Sequence, residues 1–213
     1  MTLTTSMGIF ALIGLALGLL GILVRLDAIM NRPFKPDLAR RQGSVRRGIL
    51  YAFSLGMAPW EKESTRKHWV AYLRGILFHV GVFTAFAVLF ASPWLAVMPV
   101  PLIWMALIIT AAGAVAGFAG IFMRLSGENE RALSRPDDYF AVFLTSLFTA
   151  LASLILWAPV WLPLFYLVSG VTAIYIPFSK IRHCVYFFYS KFFFGAGFGR
   201  RNVIGQAKSK YAE

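Results

Sequence analysis

Only three histidines occur in this chain, and two of them, His79 in LRGILFHVG and His183 in PFSKIRH, stand in stretches apolar enough to cross a membrane. An ionisable side chain placed in lipid is costly and is a functional candidate by default. Neutral imidazole is a standard haem ligand, and two helices can clamp one porphyrin between them, so the most economical joint task for His79 and His183 is axial ligation of a single haem b. That chemistry is electron transfer within or across a membrane. The plainer alternative is that each is an interhelical hydrogen-bonding group.

The elements that must position these residues follow from composition. Of 213 residues 59% are apolar and 14% charged, and the mean hydropathy is +0.69, so the chain cannot cover itself with polar surface in water. A hydrocarbon core of ~30 Å takes about 20 apolar residues per helix. Five stretches qualify, roughly 5–26, 69–91, 95–123, 139–160 and 162–188. The expected fold is an all-α integral membrane protein, one membrane domain over 1–213, with a basic loop at 27–68 and a tail at 191–213.

Cytoplasmic loops retain Lys and Arg, whereas short translocated loops do not. All 21 cations fall on one side of this layout, and the opposite connections, SPWLAVMPVP and WAPVWLP, carry none. An odd number of spans then puts the N-terminus outside and the C-terminus in the cytoplasm. The net charge of +12 is a topology signal first; nucleic-acid binding is disfavoured because the charge flanks helices instead of lining a groove with interleaved aromatics. The start, MTLTTSMG, lacks a positive n-region, so the first helix reads as retained and not as a cleaved signal. Its Gly8, Gly14, Gly18 and Gly21, like Gly113, Gly117 and Gly120, are small residues suited to close helix packing. The segment GILYAFSLGMAPW is apolar enough to lie along the interface or to dock a soluble partner.

Depth relates the two histidines. At about 1.5 Å per residue, His79 lies about 16 Å beyond His68 and His183 about 12 Å before Lys191, if the fifth helix runs on through CVYFFYS. Both then sit in the cytoplasmic half. Arg74, Lys180 and Arg182 need anions or must snorkel, and haem propionates would serve. Gly75, one turn before His79, relieves crowding where a macrocycle presses on the helix. His68, at a helix boundary, is a candidate for contact with a quinone or a propionate.

Other chemistry is sparse. Cys184 is the only cysteine, which excludes an iron–sulfur cluster of the chain's own and any CxxCH haem c attachment; beside His183 it reads as a packing residue. GAGFGR follows no strand, and a flexible exit from the membrane is expected there in preference to a phosphate loop. No Ser, His and Asp arrangement and no HExxH occurs, and the nine acidic residues lie in cytoplasmic segments.

With LFHVG around His79 and IPFSKIRH around His183, the chain resembles the gamma subunit of respiratory nitrate reductase and its relatives, the membrane cytochrome b subunits of heterodisulfide-reductase-like complexes, including those of sulfate reducers. The stretch APWEKESTRKHWVAYLRGILFHVG is similar to the heterodisulfide-reductase branch in particular. The resemblance covers the five-helix layout and implies that His79 and His183 bind the haem proximal to a cytoplasmic iron–sulfur partner. The nitrate reductase subunit holds a second, distal haem, whose ligand places are taken here by apolar residues near Leu89 and Phe165.

A chain with one haem is a relay and requires partners. The expectation is a haem b subunit of a respiratory redox complex in a prokaryotic cytoplasmic membrane, an electron-transfer component and not a stand-alone enzyme. It would pass electrons between menaquinone, or a periplasmic multihaem cytochrome c, and a cytoplasmic iron–sulfur subunit resembling the heterodisulfide reductase catalytic subunit, with membrane lipid around it. The competing expectation is a haem-free anchor or scaffold for redox subunits.

Overall fold

The computed structural model describes residues 2–32, 38–61 and 63–203. Among these the secondary structure is entirely helical: α1 (Leu3–Met30), α2 (Val45–Phe53), α3 (Glu63–Lys67), α4 (Trp69–Ala91), α5 (Val100–Ser126), α6 (Glu128–Leu133), α7 (Pro136–Trp157), α8 (Leu162–Tyr175) and α9 (His183–Arg200), joined in places by short 3-10 turns. Five segments are long and apolar enough to span a bilayer, Leu3–Met30, Trp69–Val97, Val100–Ser126, Pro136–Trp157 and Pro159–Phe178.

The chain divides into two compact units. The first comprises Met1–Leu26 and Val70–Ile181, the second Asp27–Trp69 and Arg182–Glu213. In the first unit, Phe148 and Phe165 stack at 5.5 Å, Phe86 meets Phe148 at 5.0 Å, and Leu89, Leu144, Leu151 and Ile155 close around them. Buried hydroxyls return to the preceding turn: Thr110 donates to the Ala106 carbonyl at 2.7 Å and Ser169 to that of Phe165 at 2.6 Å. This satisfies them without an external partner, as an apolar surround demands. The outward faces carry large exposed apolar side chains such as Leu12, Leu19, Phe122 and Val171.

Small residues set the approach of these helices. A Cβ on Gly14 of α1 would lie 2.6 Å from the Gly170 carbonyl oxygen of α8, and one on Gly81 of α4 would lie 2.6 Å from the Gly113 Cα of α5. The glycine rows of the first and third spans are therefore helix contacts, backbone to backbone at Gly14, Gly18 and Gly113 and against side chains at Gly8, Gly21, Gly117 and Gly120.

Prolines decide most boundaries. The third span begins at Val100 and not 95, because Pro93, Pro99 and Pro101 put Ser92–Val97 into a separate 3-10 turn. The fourth begins at Pro136, whose missing N–H costs nothing at a first helical position, and the carboxylate of Asp138 accepts from the Arg135 N–H at 2.8 Å.

The fifth span differs most from the expected 162–188. Helix α8 stops at Tyr175, Ile176–Phe178 and Lys180–Arg182 form separate 3-10 turns, and a new helix starts at His183. Pro177 cannot donate to the helical ladder, and Ser179 is extended, with φ −103° and ψ 178°. The continuation through CVYFFYS is helical, but as part of α9, which belongs to the second unit.

In the second unit α9 lies antiparallel to α2. Gly195 and Gly199 face Gly48 so closely that a Cβ on Gly48 would overlap the Gly195 carbonyl oxygen and sit 2.5 Å from the Gly199 Cα. The run GAGFGR is thus a helix-packing surface, not the flexible exit expected. Near the other end Phe53 contacts Phe187 and Phe188, each at 6.4 Å. The Tyr51 hydroxyl donates to Glu61 at 2.8 Å, tying the turns after α2 back onto it; this bond, with burial and the carboxylate charge, raises the phenol pKa.

Gly48→Leu is expected to destabilise the α2–α9 contact by about 1–3 kcal/mol through overpacking, read as faster limited proteolysis within 42–61 while cleavage elsewhere is unchanged. The raised Tyr51 pKa means that its stabilisation is complete below the ordinary phenol value of ~10 and is lost as pH rises through the folded value. Protection of 55–61 should therefore fall in strong alkali, and Tyr51→Phe should lower it already at neutral pH.

Candidate functional site

His79 sits on α4 in the first unit, exposed, with Phe78 and Phe83 beside it at ring-centroid distances of 5.8 and 6.5 Å. Its Nδ1 is 2.7 Å from the Gly75 carbonyl oxygen one turn earlier. A carbonyl only accepts, so Nδ1 carries the proton and Nε2 carries the lone pair. A backbone carbonyl holding one ring nitrogen is how a metal-ligating imidazole is kept in tautomer and orientation. A Cβ built on Gly75 meets nothing within 4 Å, so the surface beside the imidazole is open. The donor set and the open glycine face fit an axial haem ligand at His79.

His183 stands elsewhere: it is exposed, and it opens α9 in the second unit. The break at Pro177 removes it from the fifth span, so the depth argument from a continuous helix no longer applies to it. Cys184 beside it is exposed and free of any disulfide. His68 lies between α3 and α4, also exposed and in the second unit.

The cations expected to meet propionates have other engagements. Arg74 is turned from α4 onto α5, where Nη1 donates to the Ala116 carbonyl at 3.2 Å and the guanidinium fills the space left by Gly120. Its Nε is buried and has no partner. Arg74 and His79 are five residues apart, about 140° around the helix, whereas Gly75 and His79 share a face. Lys180 pairs with Asp138 at 2.5 Å. Arg182 is half-buried at the end of its 3-10 turn, directly before His183. The places near Leu89 and Phe165, where a distal haem would need ligands, are packed together in the core.

One polar constellation was not expected. At the start of α7, Asp137 accepts from the Tyr175 hydroxyl and from the Lys180 N–H at 3.3 Å, while Asp138 takes the Lys180 ammonium. Two adjacent carboxylates thus hold both sides of the break after α8. The sequence signal was RPDD, a proline with two acids, which opens a helix; placing the start of the helix at 139 left both acids in a loop. Among the described residues no group of three His, Cys, Asp or Glu converges to hold a metal ion.

The chain matches no family model, and no curated protein or solved structure matches it either.

Asp137→Ala leaves the Tyr175 hydroxyl and the Lys180 N–H without their acceptor. It is expected to cost about 1–3 kcal/mol, measured as a lower thermal unfolding midpoint of the detergent-solubilised protein, with Asp137→Asn intermediate.

Proposed function

We propose that this chain is the haem b membrane subunit of a respiratory redox complex in a prokaryotic cytoplasmic membrane. It carries electrons between menaquinone, or a periplasmic multihaem cytochrome c, and a cytoplasmic iron–sulfur subunit similar to the catalytic subunit of heterodisulfide reductase. The observation that carries the reading is His79, presented on an apolar helix beside an open glycine face, with Nδ1 held by the Gly75 carbonyl. The resemblance around LFHVG and IPFSKIRH supports it.

Bound haem b supplies a one-electron iron couple. His79 would be one ligand to its iron, and its hydrogen bond to Gly75 fixes the ring and raises the basicity of Nε2. By the resemblance His183 would be the second ligand, and Arg182 beside it in the sequence is the remaining candidate for a propionate contact. Lys180 is withdrawn from that role by its ion pair with Asp138, and Arg74 by its bond across to α5. Leu89 and Phe165, near the places where the resembling subunit ligates a second haem, lie in the apolar core, which supports a chain with one haem whose partners hold the other redox centres. The one-sided distribution of Lys and Arg places the N-terminus outside and the basic loop and tail in the cytoplasm, where they face the iron–sulfur subunit. His68, at the boundary before α4, is the candidate for contact with quinone.

The test is a reduced-minus-oxidised spectrum of the purified chain or complex, with pyridine haemochrome quantified per copy. One b haem per chain is expected, lost in His79→Ala and in His183→Ala while the protein still inserts. Absence of b haem from material that has retained its cofactors overturns the reading and leaves the haem-free scaffold. Gly75→Leu gives a sharper check: a Cβ there meets nothing within 4 Å, so the protein is expected to insert and fold as before, measured by its thermal unfolding midpoint, while haem content falls severalfold or more.

A further inference from the structure

The α2–α9 pair is chemically polarised along its length. Where the start of α2 meets the end of α9 there are six arginines, Arg40, Arg41, Arg46, Arg47, Arg200 and Arg201, and neither 38–53 nor 183–203 contains a single Asp or Glu. A cavity of about 390 Å³ opens at this end, lined by Gln42, Gly43, Ser44, Arg47, Gly199 and Asn202. Its wall is fastened: the Arg200 carbonyl accepts from the Gln42 and Gly43 N–H groups at 2.9 and 3.0 Å, Arg200 Nη2 donates to Ala39 O at 3.2 Å, and Arg41 Nε donates to Gly43 O at 3.2 Å. The chain-end carbonyl of α9 is therefore already satisfied, and what the cavity offers a ligand is cationic and amide-rich.

The body of the pair is the reverse. Phe188, Phe192, Phe193, Phe194 and Phe198 of α9 and Leu50 and Phe53 of α2 are all exposed. Lys191 is drawn over the Phe187 ring at 5.6 Å. A soluble phosphate or nucleotide would satisfy the arginines and leave this surface in water. An amphiphile satisfies both, and a chain with five helices able to span a bilayer has one at hand.

We propose that the α2–α9 pair binds an anionic phospholipid, its phosphate in the cavity at Arg47 and Asn202 and its acyl chains along the exposed phenylalanines. Basic residues clustered next to a membrane select anionic headgroups, and exposed aromatic side chains add apolar burial. The site is independent of haem and of the histidines.

Native mass spectrometry of the full chain released from mild detergent tests this, with phosphatidylglycerol, phosphatidylcholine or inorganic phosphate added. Phosphatidylglycerol should be retained roughly tenfold more than phosphatidylcholine. The variant R46Q/R47Q/R201Q, which alters only exposed side chains, should lose that preference, and the control R66Q/R131Q/R135Q, with cations removed elsewhere, should keep it. F193S/F194S should weaken retention of both lipids. The proposal is overturned if R46Q/R47Q/R201Q retains the wild-type preference, if the control loses it equally, or if inorganic phosphate at matched concentration displaces phosphatidylglycerol.

Discussion

A proline in an apolar span leaves a carbonyl without its donor, and the surround supplies no water to replace it. Pro177 imposes that constraint near the end of the fifth span, and the rest of the fold answers it. Helix α8 stops at Tyr175, Ser179 goes extended with its N–H returned to the Tyr175 carbonyl at 3.1 Å, and Asp137 and Asp138 grip Tyr175 and Lys180. Gly21 of α1 gives the ring room, since a Cβ there would approach Pro177 Cγ to 2.7 Å. Because the span ends here, the aromatic stretch that follows is released to form a helix of its own and to pair with α2.

The same break separates the settings of the two histidines. His79 lies in the middle of an apolar helix, its ring fixed by the Gly75 carbonyl and its neighbourhood cleared of a side chain. His183 opens a helix just after a pair of 3-10 turns. One imidazole is positioned by a regular helix and the other by the geometry of a turn. The α7 carboxylates hold the turn at Lys180, two residues before Arg182.

Much of this was legible in the residues. Apolar length alone located the five helical segments long enough to span a bilayer, the second at the bounds of α4, 69–91. The glycines of the first and third spans read as packing residues, and they do pack: Gly14, Gly18 and Gly113 against partner backbone, Gly8, Gly21, Gly117 and Gly120 against partner side chains. What escaped were features that depend on distant partners. Hydropathy sums over a window and does not register a lost hydrogen-bond donor, so it carried the fifth helix across Pro177 to 188. Charge counting marked Lys180 as a cation in need of an anion but could not choose between a propionate and Asp138, which is 42 residues away. GAGFGR read as flexible because glycine favours coil locally; only the presence of Gly48 on α2 makes those same residues a tight helix contact.

That contact also orders assembly in time. Gly48 and Gly195 are about 150 residues apart, and closing a loop of that length is paid for only after the intervening chain exists. During synthesis α2 emerges after the first span and must wait, its glycine face uncovered, until α9 is made. Joining α2 to α9 thus depends on residues far along the chain: truncation between Phe53 and Gly195 leaves the glycine face of α2 uncovered, where a protease or chaperone can read it.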